Sequence, residues 1–395
     1  MLSEQAAATV RATLPAVGAH LDEITERFYA GLFTARTELL RDLFNRGNQA
    51  AGTQRQALAG SIAAFATHLL EHPESRPDAM LARIAHKHAS LGVTPEQYAL
   101  VHEHLFAAIA GVLGEAVTPE VAAAWDEVYW LMANALVAIE KRLYEESGEP
   151  GWRNWEVVER VAETADVVTF RLRPADGGPV ADFRAGQYVS VRAELPDGAR
   201  QIRQYSLSGA PGSALRQISV KRVRDAGDTP DGEVSNHLHA RVREGDVLEL
   251  SAPYGDLVLE DAADTPLLLA SAGIGVTPMV AMLARLAETG HRAPVTVVHG
   301  DRSPADHALR ADHEAYAGKL PDAAVHFWYE RDATEGTHAG LVHLDAVDVP
   351  AGTRAYLCGP LPFMRAVRAD LLQKGVAASD IHYEVFGPDL WLSRA

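Results

Sequence analysis

Four consecutive residues, Arg203-Gln204-Tyr205-Ser206 in the run Q-I-R-Q-Y-S-L-S, hold the most specific chemistry in the chain. An R-x-Y-S run on a strand edge suits a flavin. The Tyr205 ring can lie against an isoalloxazine, Ser206 can donate a hydrogen bond to it, and Arg203 can neutralise a pyrophosphate. The same residues also read as an ordinary half-buried strand with an arginine on its wet face. Downstream partners weigh against that reading. Gly232-Glu233-Val234-Ser235-Asn236 opens a short helix whose first amides can receive a phosphate. Farther on, T-P-L-L-L-A-S-A-G-I-G-V-T-P-M reads as a buried strand, a glycine turn, and a helix capped by Thr277 with Pro278 at its start. Gly273 and Gly275, with Ile274 and Val276 beside them, let backbone approach an anion at a helix N-terminus. The spacing is G-x-G-x-x-P, which argues weakly for a dehydrogenase Rossmann unit and better for a ferredoxin-reductase-type one. Upstream, R-I-A-H-K-H-A-S-L puts His86 and His88 near a helix end, and neutral imidazole is the usual axial ligand of haem iron. The chain has 17 histidines, so a helical histidine alone is more often structural or solvated.

Positioning these groups takes more than one scaffold, and 395 residues allow two or three domains. With 47% hydrophobic and 23% charged residues, the chain can build full cores. A net charge of −17 argues against a nucleic-acid surface. One cysteine, Cys358, forbids an internal disulfide and fits a reducing compartment. The N-terminus lacks the basic and apolar regions of a signal peptide, and no stretch reads as a membrane span. The expectation is a soluble, cytoplasmic protein.

The pattern changes near Ser147. Before it, Ala/Leu/Glu-rich runs predict an all-α unit of about 145 residues and roughly six to eight helices. Ser3, the capping box Thr94-Pro95-Glu96-Gln97 and Thr118-Pro119 mark helix starts. After Thr118, Val121, Trp125, Val128, Met132, Ala135, Ile139 and Leu143 form one apolar stripe. After the linker S-G-E-P-G-W come short strands at 155–161, 167–173, 187–195, 203–208, 217–223 and 247–252, which suggest a small antiparallel barrel. The segment 224–231 reads as a surface loop. Strands at 295–298, 325–329 and 355–358 then alternate with helices, as in a doubly wound parallel sheet.

The runs M-L-S-E-Q-A-A-A-T-V-R-A-T-L-P, F-Y-A-G-L-F-T, L-F-N-R-G-N-Q, I-A-H-K-H and T-P-E-Q-Y resemble the globin domain of the flavohaemoglobins. The flavin and nicotinamide motifs match the same family in order, so the resemblance covers nearly the whole chain. It implies a multi-domain protein: an all-α globin domain at 1–147, an antiparallel β-barrel FAD-binding domain at 152–260, and an α/β doubly wound, ferredoxin-reductase-like NAD(P)H-binding domain at 263–395. Carried over by position, His88 is the proximal ligand of haem b, and Lys87 is the neighbouring lysine that tunes the haem and flavin potentials. Tyr98 and Glu140 form a proximal relay that makes the imidazole more imidazolate-like. Glu140 also reads as a solvated helix carboxylate and Tyr98 as a half-buried aromatic. On the distal side, Tyr29 donates to the haem ligand, Gln54 and Leu58 lie one turn apart, and Phe44 wedges the haem.

In the barrel, G-Q-Y-V sets Tyr188 on the strand before Arg203, Gln204, Tyr205 and Ser206, and Gly232, Val234 and Ser235 receive the pyrophosphate. Gly273, Ile274, Gly275, Val276, Thr277 and Pro278 take the dinucleotide. Cys358-Gly359-Pro360 lies beside the nicotinamide, although a buried core cysteine before a turn is commoner for a lone cysteine. In the closing run, Phe386 covers the flavin, Glu384 sits near the flavin–haem gap, and Val385, Gly387 and Pro388 flank them. Ala185 stands where the family usually has proline, and Val385 where it often has cysteine.

The implied activity is that of a monomeric nitric oxide dioxygenase. NAD(P)H reduces FAD, FAD reduces haem iron, and nitric oxide and O2 become nitrate. An oxygen sensor or store, or a flavin reductase of quinones, ferric chelates or peroxides, is the alternative. Asp301 could repel the 2′-phosphate of NADPH and Arg302 could bind it, so the dinucleotide stays open.

Overall fold

A computed structural model describes residues 1–149, 151–224, 231–260 and 263–387. It divides into two compact units, one of residues 1–151 with 193–202, the other of residues 152–192 with 203–387. The first is built from α1 (Glu4–Ala19), α2 (Leu21–Ala35), α3 (Thr37–Asp42), α4 (Arg46–Ala50), α5 (Thr53–Glu71), α6 (Asp78–Leu91), α7 (Pro95–Leu113) and α8 (Pro119–Glu146). Its helix starts are the ones the caps predict. Ser3 accepts from the Ala6 amide, Thr118 from Val121, and Thr94 forms a complete capping box with Gln97. α6 stops at Gly92, whose φ of 76° suits a residue without Cβ.

On α8, Trp125, Val128 and Ala135 are buried as expected, and Val121, Met132, Ile139 and Leu143 are partly buried against the same core. Ala124, Leu136 and Glu140 flank that stripe and are buried too, where α8 packs on α1 and α6. One expectation needs correcting: Pro95–Ala116 is 22 residues, long and apolar enough by length and composition to cross a membrane. Tyr98, Leu105, Ala108 and Ile109 of that helix belong to the core of the helical unit.

The same unit holds residues 193–202 against the Phe44 corner. Gln201, fully buried, donates through Nε2 to the carbonyls of Arg41 (2.9 Å) and Phe44 (3.2 Å). Arg46 reaches Asp197 at 2.7 Å. Nothing in the sequence pattern singles out Gln201.

Next come β1 (Trp152–Ala162), β2 (Val167–Pro174), β3 (Tyr188–Glu194), β4 (Arg200–Ser206), β5 (Arg216–Lys221), α9 (Glu233–Arg241) and β6 (Val247–Ser251), with sheet order β4-β3-β6-β1-β2-β5. β1 pairs antiparallel with β2 and β6, and β2 with β5. A bridge between Leu207 and Ile218 joins the end of β4 to β5, so the sheet curls into a barrel. Of the expected surface loop, residues 225–230 lie outside the described ones.

The remainder is β7 (Leu267–Ala272), α10 (Val276–Thr289), β8 (Val295–Asp301), α11 (Arg310–Ala317), β9 (Ala323–Tyr329), β10 (His338–Ala339), β11 (Arg354–Cys358), α12 (Leu361–Gln373) and β12 (Ile381–Glu384). The strands form a parallel sheet in the order β10-β9-β8-β7-β11-β12. The order reverses between β7 and β11, and in such sheets ligands bind at the carboxyl ends of the strands at that point. Thr277 is not the cap of α10. A 3₁₀ turn, Gly273–Gly275, precedes the helix, and Thr277 sits inside its first turn with its hydroxyl donating to the Ile274 carbonyl at 2.9 Å. The glycine turn tightens into that extra half-turn because it must pass beneath the end of β11: a Cβ on Gly275 would lie 2.2 Å from the Cys358 carbonyl oxygen.

That clearance makes a prediction. Gly275→Ala should destabilise the second unit by about 1–3 kcal/mol, because backbone cannot yield as a side chain can. Thermal unfolding should register a lower midpoint, with loss of dinucleotide binding at permissive temperature.

Candidate functional site

Three helices bring one hydrogen-bonded triad together. His88 comes from the last turn of α6, Tyr98 from the first turn of α7, which the Thr94 box starts, and Glu140 from the inward face of α8. His88 Nδ1 lies 2.9 Å from both Glu140 Oε1 and the Tyr98 hydroxyl oxygen. The Tyr98 hydroxyl donates to the same Oε1 at 2.5 Å. Its single proton is therefore spent on Glu140, and toward His88 the phenol oxygen can only accept. The proton of His88 must then sit on Nδ1, shared between a carboxylate and a phenol oxygen, which leaves the Nε2 lone pair for another ligand. Among the described residues no hydrogen bond to Nε2 is found. Glu140 is 2% exposed, so the solvated-carboxylate reading fails. Burial and the Glu140 charge push the Tyr98 phenol far up, which keeps it a neutral donor. Tyr129 steadies the set by donating to the Tyr98 carbonyl at 2.6 Å. His86 and Lys87 share α6 with His88 and are half-buried.

A second cluster gathers on α2, α4 and α5. Tyr29, 6% exposed, packs edge-on to Phe44 at 5.8 Å and against Phe33 at 5.5 Å. Burial pushes its pKa up to about 12, partly offset by the neighbouring Gln54 and Gln49 side chains. Leu58 packs against the same core. Gln49 is not predicted from the sequence; it reaches Tyr29 because Gly52, at φ 70°, turns α4 back on α5. Gln49 Nε2 is buried without a hydrogen-bond partner. An orphaned buried donor beside a neutral phenol, with a histidine whose Nε2 is left available, is a donor set that fits a haem and a small polar ligand on it.

In the second unit, Ser206 Oγ is buried and unpartnered, as a hydroxyl kept for a flavin ring would be. Gln204 Nε2 donates to Ser190 Oγ at 2.8 Å, which fixes β4 on β3. The desolvated Tyr205 phenol is pushed up. Tyr188 and Tyr254 exchange backbone hydrogen bonds of 2.8 and 2.7 Å. Arg203 lies 3.9 Å from Glu233, the first residue of α9. Gly232 caps α9, and a Cβ there would lie 2.7 Å from Ser235 Oγ. That hydroxyl donates to the Gly232 carbonyl and accepts from the Val223 amide, both at 3.1 Å. Ser235 thus has only its backbone amide to offer a phosphate, and Val234 is fully buried.

At the strand reversal, Ser271, Cys358 and Glu384 stand in one row across β7, β11 and β12. Cys358 is fully buried, and burial with the nearby Glu384 charge pushes its thiol well up. Gly359 follows it, and Pro360 caps α12. Beyond β12, Val385 is half-buried and Gly387 exposed. Phe386 is 46% exposed and meets no other ring among the described residues. Pro388 lies outside those residues. Asp301 sits 3.6 Å from His299, and Arg302 is held by Asp306 at 2.5 Å and Asp166 at 3.9 Å.

Family models match the chain in three consecutive stretches: Globin at 26–136, Oxidoreductase FAD-binding domain at 154–259, and Oxidoreductase NAD-binding domain at 269–369. The chain is 43% identical to a Flavohemoprotein of Rhizobium meliloti (strain 1021), over 99% of this chain and 100% of that one. It is 36% identical to a Flavohemoprotein of Bacillus subtilis (strain 168), over 100% of both. Its fold matches that of flavohemoglobin from Malassezia yamatoensis, solved with bound FAD and heme, with a TM-score of 0.91 at 38% identity, over 98% of this chain and 100% of that one. The FAD/NAD-binding domain of nitric oxide dioxygenase from Vibrio cholerae O1 biovar El Tor covers 60% of this chain and all of its own, at 36% identity and a TM-score of 0.57.

The raised Tyr29 pKa has a sign that can be tested. A phenol that titrates near 10 when unfolded and about 12 when folded favours folding fully below pH 10, and that contribution is lost as pH rises from 10 through 12. Denaturant unfolding of wild type and Tyr29→Phe between pH 9 and about 11 should show the variant losing stability less steeply.

Proposed function

The chain belongs to the flavohaemoprotein family, and on that premise we propose that it is a nitric oxide dioxygenase, using NAD(P)H, FAD and haem to convert nitric oxide and O2 to nitrate. The reading assigns the haem to residues 1–147, the FAD to 152–260 and the dinucleotide to 263–395. When bound, haem supplies the redox iron at which the two gases react, and FAD turns a hydride into single electrons.

The observation that carries the reading is the buried Glu140 carboxylate on His88. A carboxylate sharing the Nδ1 proton raises the basicity of Nε2, which suits activation of dioxygen rather than its storage. Tyr98 sets how much of that charge His88 feels, by occupying the same Oε1. Opposite in role, Tyr29 stays protonated at any physiological pH and donates one hydrogen bond where negative charge develops. Gln54 and Gln49 orient it, and Phe44 and Leu58 keep water out.

Arg203 and the α9 amides hold the flavin pyrophosphate, Ser206 and Tyr205 hold the ring, and the exposed Phe386 covers it until nicotinamide arrives. Gly273 through Pro278 and Cys358-Gly359-Pro360 line the nicotinamide crevice. Arg302 is already held by Asp306 and Asp166, carboxylates that Arg331, Arg222 and Arg224 also reach, with Asp301 adjacent, so its guanidinium is committed before a 2′-phosphate arrives. That favours NADH over NADPH. The lone cysteine, buried in the core, fits a reducing cytoplasm.

Anaerobic NADH, followed by air and then nitric oxide, tests the proposal. Nitrate should appear in proportion to nitric oxide, and NADH should outpace NADPH. Tyr29→Phe should slow nitrate formation on the order of a hundredfold while NADH still reduces the flavin. If His88→Ala retains the main turnover, the flavin-reductase reading replaces this one.

A further inference from the structure

Three buried histidines lie outside the proposed electron path. His299 is on β8, His307 in the loop that follows and His313 on α11, and none is more than 4% exposed. One ring nitrogen from each falls within 4.8 Å of the others. Two of the rings are oriented from behind. Ser271 Oγ meets His299 Nδ1 at 2.8 Å, and the Tyr329 hydroxyl meets His307 Nδ1 at 2.9 Å. Such partners fix a ring and turn its Nε2 toward a shared ligand. His299 Nε2 is buried without a hydrogen-bond partner.

The distances are informative. His313 Nδ1 stands 3.4 Å from His307 Nε2, long for a hydrogen bond. With metal–nitrogen bonds of about 2.05 Å, the nitrogen–nitrogen edge of a tetrahedral zinc site is roughly 3.4 Å. Their rings lie at 84°, so both can aim at one point between them. Asp301 Oδ2 lies 3.6 Å from His299 Nε2 but outside the cluster of three ring nitrogens. Asp301 also offsets the positive charge of Lys221 and Arg310, which act on the cluster.

We propose that His299, His307 and His313 form a binding site for one divalent, imidazole-preferring cation of the zinc type. Three imidazoles with a fourth position left for water suit zinc, and the shortage of oxygen ligands disfavours magnesium and calcium. His299 stacks on His307 at 3.9 Å and 22°. A ligated metal lies in the plane of each ring, so binding tilts His299 out of that stack, about its Nδ1 contact with Ser271, and closes the 4.8 Å spread. The cation then pins the segment carrying Asp301 and Arg302 to β7 through Ser271.

Full-length protein loaded with haem and FAD, cleared of loose metal by chelator, should be given zinc chloride, desalted and assayed for zinc by mass spectrometry. One zinc per chain should remain, and its X-ray absorption should show three imidazole nitrogens. His313→Asn and His307→Gln should weaken retention at least tenfold, with circular dichroism and flavin content checking the fold. His326 and His338, 3.5 Å apart, are the competing pair, and His338→Ala should keep the zinc. No retained zinc in wild type, equal retention in the two cluster variants, or loss in His338→Ala would overturn the site. Because the readout is bound zinc, failure of the dioxygenase reading leaves this test intact.

Discussion

A carboxylate with almost no contact with water sets the terms for the helical unit. Burying Glu140 costs several kcal/mol unless its charge is met by donors, and the fold supplies two, the Tyr98 hydroxyl and the His88 Nδ1–H. Each donor depends on a helix start or end. The Thr94 box begins α7 where Tyr98 faces inward, and Gly92 stops α6 just after His88. α8 must turn a charged face to the core to join them. Removing either donor leaves the buried carboxylate with one partner instead of two, so the three residues act as one unit in energy as in geometry.

The second unit answers a different constraint, the close approach of backbone to backbone. The glycine turn after β7 and the Cys358-Gly359 turn after β11 meet at the sheet's reversal with no room for side chains. What remains at that seam is amide groups and a helix N-terminus, which suit an anion. The barrel keeps its own reserve in Ser206, a hydroxyl left unpaired inside an otherwise satisfied strand.

Local signals were legible in the sequence. The cap residues, the strand runs and the R-x-Y-S and G-x-G-x-x-P motifs depend on neighbours a few residues away, and the elements formed where they pointed. Features that arise from distant packing were not legible. The burial of Glu140 depends on donors from α6 and α7, and the 3₁₀ turn that displaces Thr277 from the cap depends on β11. Gln49 and Gln201 act through contacts made by corners rather than by periodic faces. Pro95–Ala116 has the length and apolar composition that a core helix and a membrane-spanning helix share. The histidine cluster joins a strand, a loop and a helix whose spacing in the chain carries no motif.

The most direct measurement of the central claim is the iron–histidine stretching band of the ferrous, haem-loaded protein, compared between wild type and Glu140→Gln. If the buried carboxylate strengthens His88 as a ligand, the band falls to lower frequency in the variant while Nδ1 keeps a hydrogen-bond acceptor. An unchanged band would mean that Glu140 only holds helices together, and the account of the site would be wrong.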